Sequence, residues 1–247
     1  SHPAEAIAEV KFDGMMVYAK NGRLVNRRLN DVTGRFPEIS VPTNVTLVGE
    51  VCIMKDGLSQ FHMMLKRNVD NPKEIRLRSQ IYPATLMAFD ILELNGESLK
   101  DRPLRNRRPV LEAVGSSFRG VKVVDYIGCP PEEVSGLLEM IRACNAEGLI
   151  VKDLDARYHP GERVKAWMKI KAWKEGDYDI QRWEITENNG FVVWIENQGR
   201  PQKVVVNAMD LQENIKSGSL RKVRVRYLAV GESGALRQPH VYGLVHD

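Results

Sequence analysis

The first feature of this sequence that could do chemistry is a lysine set between two carboxylates on an otherwise apolar run. The run reads Ala8-Glu9-Val10-Lys11-Phe12-Asp13-Gly14. In an extended strand alternate side chains leave by opposite faces. Ala8, Val10 and Phe12 are therefore expected on one side, and Glu9, Lys11 and Asp13 on the other. Two readings fit the charged side: a salt-bridged strand, or a nucleophilic amine held in place. A free lysine, with a pKa of about 10.4, is almost wholly protonated at neutral pH, so the second reading requires burial, nearby cations or a metal.

Other charges interrupt apolar runs in the same way. Glu50 breaks Leu47, Val48, Val51, Cys52 and Ile53, which is costly unless the carboxylate has a partner or a metal. Phe89-Asp90 ends an apolar stretch, and Glu147-Gly148-Leu149-Ile150-Val151-Lys152 carries charge at both ends. Alternation over 165–171 puts Trp167, Lys169 and Lys171 on one face and Ala166, Met168 and Ile170 on the other.

The elements that must position these residues follow from pattern. Strands are expected over 15–20 and 23–28, joined by an Asn21-Gly22 hairpin turn and ending in a loop with Arg27 and Arg28. A strand over 46–54 follows, then a short helix to Arg67 capped by Ser59, then a polar loop or edge over 68–80. A buried strand is expected over 82–94 and a helix over 103–118, with a cluster at Arg105, Arg107 and Arg108. A strand over 121–127 precedes a helix that starts at Pro130-Pro131-Glu132-Glu133. Composition shifts at Lys174-Glu175-Gly176-Asp177. Short strands over 178–187, 191–197, 202–207 and 222–230, with a helix over 210–216, suit a small barrel.

At 247 residues the chain has room for one large domain or two ordinary ones, and 43% hydrophobic with 28% charged residues is an ordinary globular composition. No apolar run approaches the roughly 20 residues needed to span a bilayer, and no signal-peptide pattern opens the chain, so no membrane association is expected. Ser1-His2 reads as a tag remnant. Cys52, Cys129 and Cys144 are scattered and odd in number, which argues against a zinc site or disulfide framework and for a reducing compartment. A net charge of +4 permits nucleic-acid binding without demonstrating it.

Taken in order, these elements are Lys-x-Asp-Gly, a basic loop, Gly-Glu, Phe-Asp, Glu-Gly and Lys-x-Lys, followed by a barrel-like tail. That order and spacing resemble the covalent nucleotidyltransferase superfamily, and within it the ATP-dependent DNA ligases. The resemblance covers nearly the whole chain. It implies an α+β fold: an antiparallel-sheet nucleotidyltransferase domain of the ATP-grasp-like ligase type over residues 1–172, then a small OB-fold β-barrel over 173–247 that swings over the site. It implies that Lys11 attacks the α-phosphate of ATP and becomes AMP-bound, with Lys169 and Lys171 on that phosphate. By the same resemblance Glu9 reads the adenine amino group, Phe89 stacks on the base, and Glu50 and Glu147 serve the ribose side and a magnesium ion. Arg27 touches the nucleotide or the 5′-phosphate of a nick, with a one-residue exchange with Arg28 left open. Lys152 stands where the family has a lysine after its Glu-Gly strand. Arg67, Asp13 and Trp167 fall at recurrent positions and read as structural.

The implied partner is nicked double-stranded DNA, sealed by a monomer that is expected to be cytoplasmic, at the nucleoid, or a virus-encoded intracellular enzyme. In the tail, Lys222, Arg224 and Arg226 alternate on one strand face. They form either a phosphate-tracking stripe or a charge-defended edge. Two features depart from the family pattern. Met16 stands where an arginine usually contacts the ribose, and the sequence ends at Val245-His246-Asp247 without the R-x-D-K motif, so either the sequence is cut short or another group does that job, with Arg237 as the candidate. With Lys11 almost at the start, neither a preceding DNA-encircling domain nor a nicotinamide mononucleotide module is expected, which favours ATP. The competing readings are an RNA ligase or capping guanylyltransferase of the same superfamily, and a non-catalytic nick-binding module.

Overall fold

The computed structural model describes residues 5–40, 42–162, 165–219, 221–231 and 233–245. Ser1, His2, His246 and Asp247 lie outside the described residues. The chain divides into two compact units, Ser1–Ile170 and Lys171–Asp247. No helix among the described residues is long and apolar enough to cross a membrane.

The first unit holds two sheets. One contains β1 (Ala6–Val10), β7 (Tyr126–Gly128), β8 (Gly148–Asp153) and β9 (Trp167–Lys171), in the order β9-β8-β1-β7. The other runs through β2 (Met15–Lys20), β3 (Arg23–Asn26), β4 (Val45–Lys55) and β5 (Ala84–Leu94), in the order β3-β2-β4-β5, with β6 (Val121–Val123) parallel to β5. The Asn21-Gly22 hairpin forms with both turn residues at positive φ, 50° and 75°, the twist that two-residue hairpins favour. Leu47, Val51, Leu86, Ala88 and Ile91 form the main core, which α3 (Leu104–Gly115) closes through Leu111. Helix α4 (Val134–Ala143) covers Ala8, Leu149 and Val151 on the outer face of the first sheet. Cys52, Met87 and Val124, with Phe12 and Phe89 against them, form a separate apolar cluster.

Three expectations for this unit need correction, whereas Arg67, read as structural, is held in the scaffold. The strand expected over 121–127 is two strands in different sheets, because the chain crosses between them at Val124-Asp125. The polar segment 68–80 contains α2 (Pro72–Ile81). Asn71 caps it by accepting from the Lys73 and Glu74 N–H groups, and Pro72 opens its first turn, a start signal independent of apolar pattern. Ser59 does not cap α1 (Phe61–Lys66), whose cap position is Gln60; the Ser59 hydroxyl instead accepts from the Asp13 N–H at 2.9 Å. Arg67 is fully buried, donating to Glu38 and to the carbonyls of Arg35 and Tyr82.

The second unit is one curled sheet ordered β10-β14-β15-β13-β12-β11. Its strands are β10 (Lys174–Asp179), β11 (Arg182–Ile185), β12 (Phe191–Asn197), β13 (Arg200–Val206), β14 (Lys222–Tyr227) and β15 (His240–Leu244). The run expected over 178–187 is thus two half-strands at opposite ends of the sheet. Ile180 N–H donates toward the β14 side, to Arg221, and Gln181 N–H toward β12, to Trp194, so one bent strand changes neighbours there. β15, which pattern alone missed, inserts between β13 and β14 and runs parallel to β13. A bent first strand, a helix between the third and fourth strands (α5, Met209–Lys216), and a fifth strand parallel to the third make the OB topology.

Candidate active site

Strand β1 delivers the lysine. Its pairing with β8 continues one residue past Val10, where the Lys11 N–H donates to the Gly148 carbonyl at 2.8 Å. That places the side chain beside Glu147, and Lys11 Nζ donates to Glu147 Oε1 at 2.6 Å. The partner of Lys11 is therefore a carboxylate 136 positions away, not Glu9 or Asp13. The other Glu147 oxygen, Oε2, is buried and has no hydrogen-bond partner among the described residues.

Glu50 enters from β4. Its Oε1 accepts from the Gly14 N–H at 3.1 Å. Only glycine allows that approach, since a Cβ at position 14 would lie 2.1 Å from the Val51 carbonyl oxygen. Burial pushes the Glu50 carboxyl up to about 7, against the pull of Lys11, the Gly14 N–H and Lys169, and with a further push from Glu147. Two carboxylates and two lysines thus act on one another at a single place. Beneath them the Cys52 thiol is pushed up by burial and then by Glu50 and Glu147, which leaves it inert.

A second charged cluster sits two residues earlier. Glu9 is 1% exposed, and its two oxygens are both taken: Oε1 accepts from Arg108 at 2.7 Å and Oε2 pairs with Lys152 at 2.6 Å. Lys152 is fully buried, donates to the Phe89 carbonyl at 3.1 Å, and lies 4.8 Å from the Phe89 ring centre and 4.4 Å from that of Trp167. Arg108 also donates to the Val124 carbonyl and to Glu112. Glu9 and Lys152, both expected at a nucleotide, are thus occupied with each other.

Phe89 stands edge-on to Trp167 at 6.0 Å, and Trp167 edge-on to Tyr158 at 5.7 Å. Its neighbour Asp90 is buried in a two-point pair with Arg107, both bonds 2.8 Å. Sequence reasoning missed the roles of Arg107 and Arg108. The signal was present: Leu104, Arg108, Leu111 and Gly115 follow helical spacing on the buried stripe of α3, and an arginine on such a stripe needs a buried partner.

Of the two strand lysines, Lys169 belongs to the first unit and acts on Glu50. Lys171 belongs to the second, where Nζ donates to Gln238 Oε1 at 2.8 Å and lies 4.9 Å from the Trp173 ring centre. Arg27 and Arg28 are exposed in a turn that Asn26 organises by accepting from the Arg28 and Asn30 N–H groups at 2.9 and 3.0 Å. Neither guanidinium pairs with a carboxylate among the described residues. In the barrel, Arg224 pairs with Asp177 through two bonds of 2.7 and 2.9 Å, Arg226 pairs with Glu175 at 2.9 Å, and Lys222 stands opposite Asp179. Three acids facing three bases make this a neutral ladder rather than a bare basic stripe. Arg237 is half-buried, and that burial lowers its affinity for its proton.

No group of three or more His, Cys, Asp or Glu side chains able to hold a metal occurs among the described residues. Magnesium does not need one, because it keeps several waters and takes one or two carboxylates beside phosphate oxygens. Glu147 Oε2, buried without a partner, and Glu50, which burial drives toward neutrality, are the donors such an ion would satisfy.

The chain is similar to known proteins in sequence and in fold. Residues 1–171 match the model of the ATP dependent DNA ligase domain. The DNA ligase of Thermococcus fumicolans is 34% identical over 190 residues, covering 71% of this chain and 34% of that protein. That of Thermococcus onnurineus is 31% identical over 191 residues, covering 72% and 34%. The chain thus spans about a third of the length of these curated relatives. Among solved structures, one from a study of DNA binding with a minimal scaffold in Lig E DNA ligases superposes with a TM-score of 0.75 at 16% identity, over 98% of this chain and 93% of that one. The ligase domain of LigD from M. tuberculosis gives 0.56 at 23% identity, over 98% and 89%. These structural likenesses speak for the fold; membership rests on the domain match, which takes in Lys11, Glu50, Glu147 and Lys169 together, and by it the chain belongs to the ATP-dependent DNA ligase domain family.

Proposed function

We propose that this chain is a DNA ligase core that seals nicks in duplex DNA, with ATP as the source of an adenylyl group carried on Lys11. One observation carries the reading: a partly buried lysine held by Glu147, whose second oxygen is unsatisfied among the described residues, beside a carboxyl that burial has raised to about 7. A fold that leaves charge this incompletely satisfied is poised for a ligand.

Glu147 Oε1 holds Lys11 Nζ in place and accepts its proton, which frees the amine lone pair. The lone pair attacks the α-phosphorus of ATP, an N–P bond forms, and the bond to the bridging oxygen breaks, so pyrophosphate leaves with the electron pair. Lys169 supplies positive charge to the phosphoryl oxygens as they crowd around phosphorus. Phe89 offers its ring to the base. Glu147 and Glu50 would hold a magnesium ion, which supplies further charge neutralisation when bound. AMP then passes to the 5′-phosphate of a nick, and the 3′-hydroxyl displaces it. Lys171 is assigned to the same phosphate chemistry, and Arg27 and Arg28 to the DNA strand, because both guanidinium groups project from an exposed turn. Residues 1–172 form the adenylation domain and 173–247 the OB domain, working as a monomer inside a cell. Phosphate binding by Arg224 and Arg226 requires their bonds to Asp177 and Glu175 to open, whereas Lys222 only stands opposite Asp179, so Lys222 is the one retained as a contact.

The test is incubation with labelled ATP, GTP or NAD and magnesium, followed by detection of covalent label. Label from ATP alone, lost in Lys11→Ala, is expected. Absence of label from every nucleotide, in protein whose intact mass excludes prior adenylation, ends the enzyme reading. Nicked duplexes with DNA or RNA strands then separate DNA ligation from RNA ligation.

A further inference from the structure

Trp167 carries a polar atom that the fold leaves unused. Its indole Nε1 is buried and has no hydrogen-bond partner among the described residues. More than nine in ten buried donors are paired, and an unpaired one costs roughly 1–3 kcal/mol. The surroundings do not relieve it. The neighbours of the ring are the edges of Phe89 and Tyr158 and the ammonium of Lys152, which is itself a donor. A water molecule there would need two or more polar partners to hold it.

The place of Trp167 makes the orphan informative. It lies on β9 two residues before Lys169, so the two side chains leave by the same face of the sheet. Its ring touches Phe89, the residue assigned to the base. We infer that the Trp167 indole N–H is a specificity-determining donor to the bound nucleotide, donating to an acceptor atom of the purine ring or of the ribose as its missing partner. The inference rests on the reading that ATP binds at Lys11 and Phe89. It changes the part of Trp167 from packing to recognition.

The accounting makes an unusual demand on the conservative variant. Trp167→Phe keeps an aromatic ring and deletes only the donor and part of the volume. Ligand-free protein should then lose little stability, because an unsatisfied group has gone, while nucleotide binding should weaken. The experiment follows lysyl-AMP formation by intact mass as a function of ATP concentration. For Trp167→Phe the half-saturating ATP concentration should rise about 10-fold, with the limiting rate changed less than about 2-fold. Wild-type protein is assayed in parallel with 1-deaza-, 3-deaza- and 7-deaza-ATP and with 2′-deoxy- and 3′-deoxy-ATP. One analogue should lose the same factor with wild type and nothing more with Trp167→Phe, the signature of a shared contact.

Equal ATP dependence in the two proteins overturns the inference. So does a melting temperature many degrees lower for ligand-free Trp167→Phe, because the group would then be structural. Full additivity with every analogue overturns it as well. If wild type itself takes no label from ATP, the assignment of function fails first, and the two failures are told apart by that control.

Discussion

Strand β1 presents two charged clusters two residues apart, and they differ in how completely they are satisfied. Around Glu9, each carboxylate oxygen meets its own cation, and Lys152 has an acid, a carbonyl and two rings around it. Around Lys11, the single ion pair leaves one Glu147 oxygen buried and bare, and Glu50 is held near neutrality by burial. The first cluster is fully buried and the second partly so, and both tie the β1 region to that of β8. The first is closed on itself and serves the scaffold. The second is incomplete, and a ligand bearing phosphate and a cation would complete it. Burial of charge alone therefore does not identify a reacting site; unfinished pairing does.

Four substitutions can break or sharpen that contrast. Lys11→Ala should abolish covalent labelling by ATP while lowering the melting temperature by only a few degrees, as an incomplete cluster loses little on truncation; a collapse of the fold would place Lys11 in the scaffold. Glu9→Ala should do the reverse, leaving two buried cations without their acid at a cost of about 3–5 kcal/mol. Calorimetry should record that as a fall of about 10 °C, and a fall below about 2 °C would deny the cluster its structural role.

Glu50→Gln tests the middle ground through pH. In the folded protein Glu50 keeps its proton up to about 7, whereas its ordinary value is 4.5. Between those values the folded state binds the extra proton, so stability falls as pH rises, and the whole penalty is present above about 7. Measured in EDTA, the variant should therefore match the parent near pH 4 and melt several degrees above it at pH 8. A difference that does not change with pH would mean that Glu50 is not held neutral. The smallest effect belongs to Arg224→Ala, whose pair with Asp177 is solvent-exposed; surface pairs contribute little. It should shift the melting temperature by less than about 2 °C and leave the salt dependence of nicked-DNA binding unchanged. A flatter salt slope would restore the stripe 222–226 to the DNA footprint.

Much of the scaffold was legible along the chain. The Asn21-Gly22 turn, the long apolar runs that became β4 and β5, and the helix over α4 all state their structure locally. Helix α2 was not read because it buries no residue, so its apolar pattern is empty and only Asn71-Pro72 marks its start. The segment 121–127 was read as one strand because its side chains suit a strand throughout. Its division between two sheets depends on partners more than thirty positions away in the chain. β15 escaped for a similar reason, since its neighbours β13 and β14 come from either side of a helix.

The residue types by themselves determined which groups are present at the site: an amine on an apolar strand, carboxylates within apolar runs, and a strand with alternating lysines. Side-chain alternation and hydrophobic pattern are local, and local physics places each group on its element. Which acid meets Lys11 was decided only by the tertiary structure. The strand stops at Val10, the ladder with β8 carries Lys11 to Gly148, and Glu147 is waiting there instead of Glu9 or Asp13. Ion pairing depends on distances of a few ångströms between residues far apart in the chain, and no spacing rule contains those distances. For the same reason the unsatisfied oxygen of Glu147 and the unsatisfied N–H of Trp167 become visible only when every neighbour is in place.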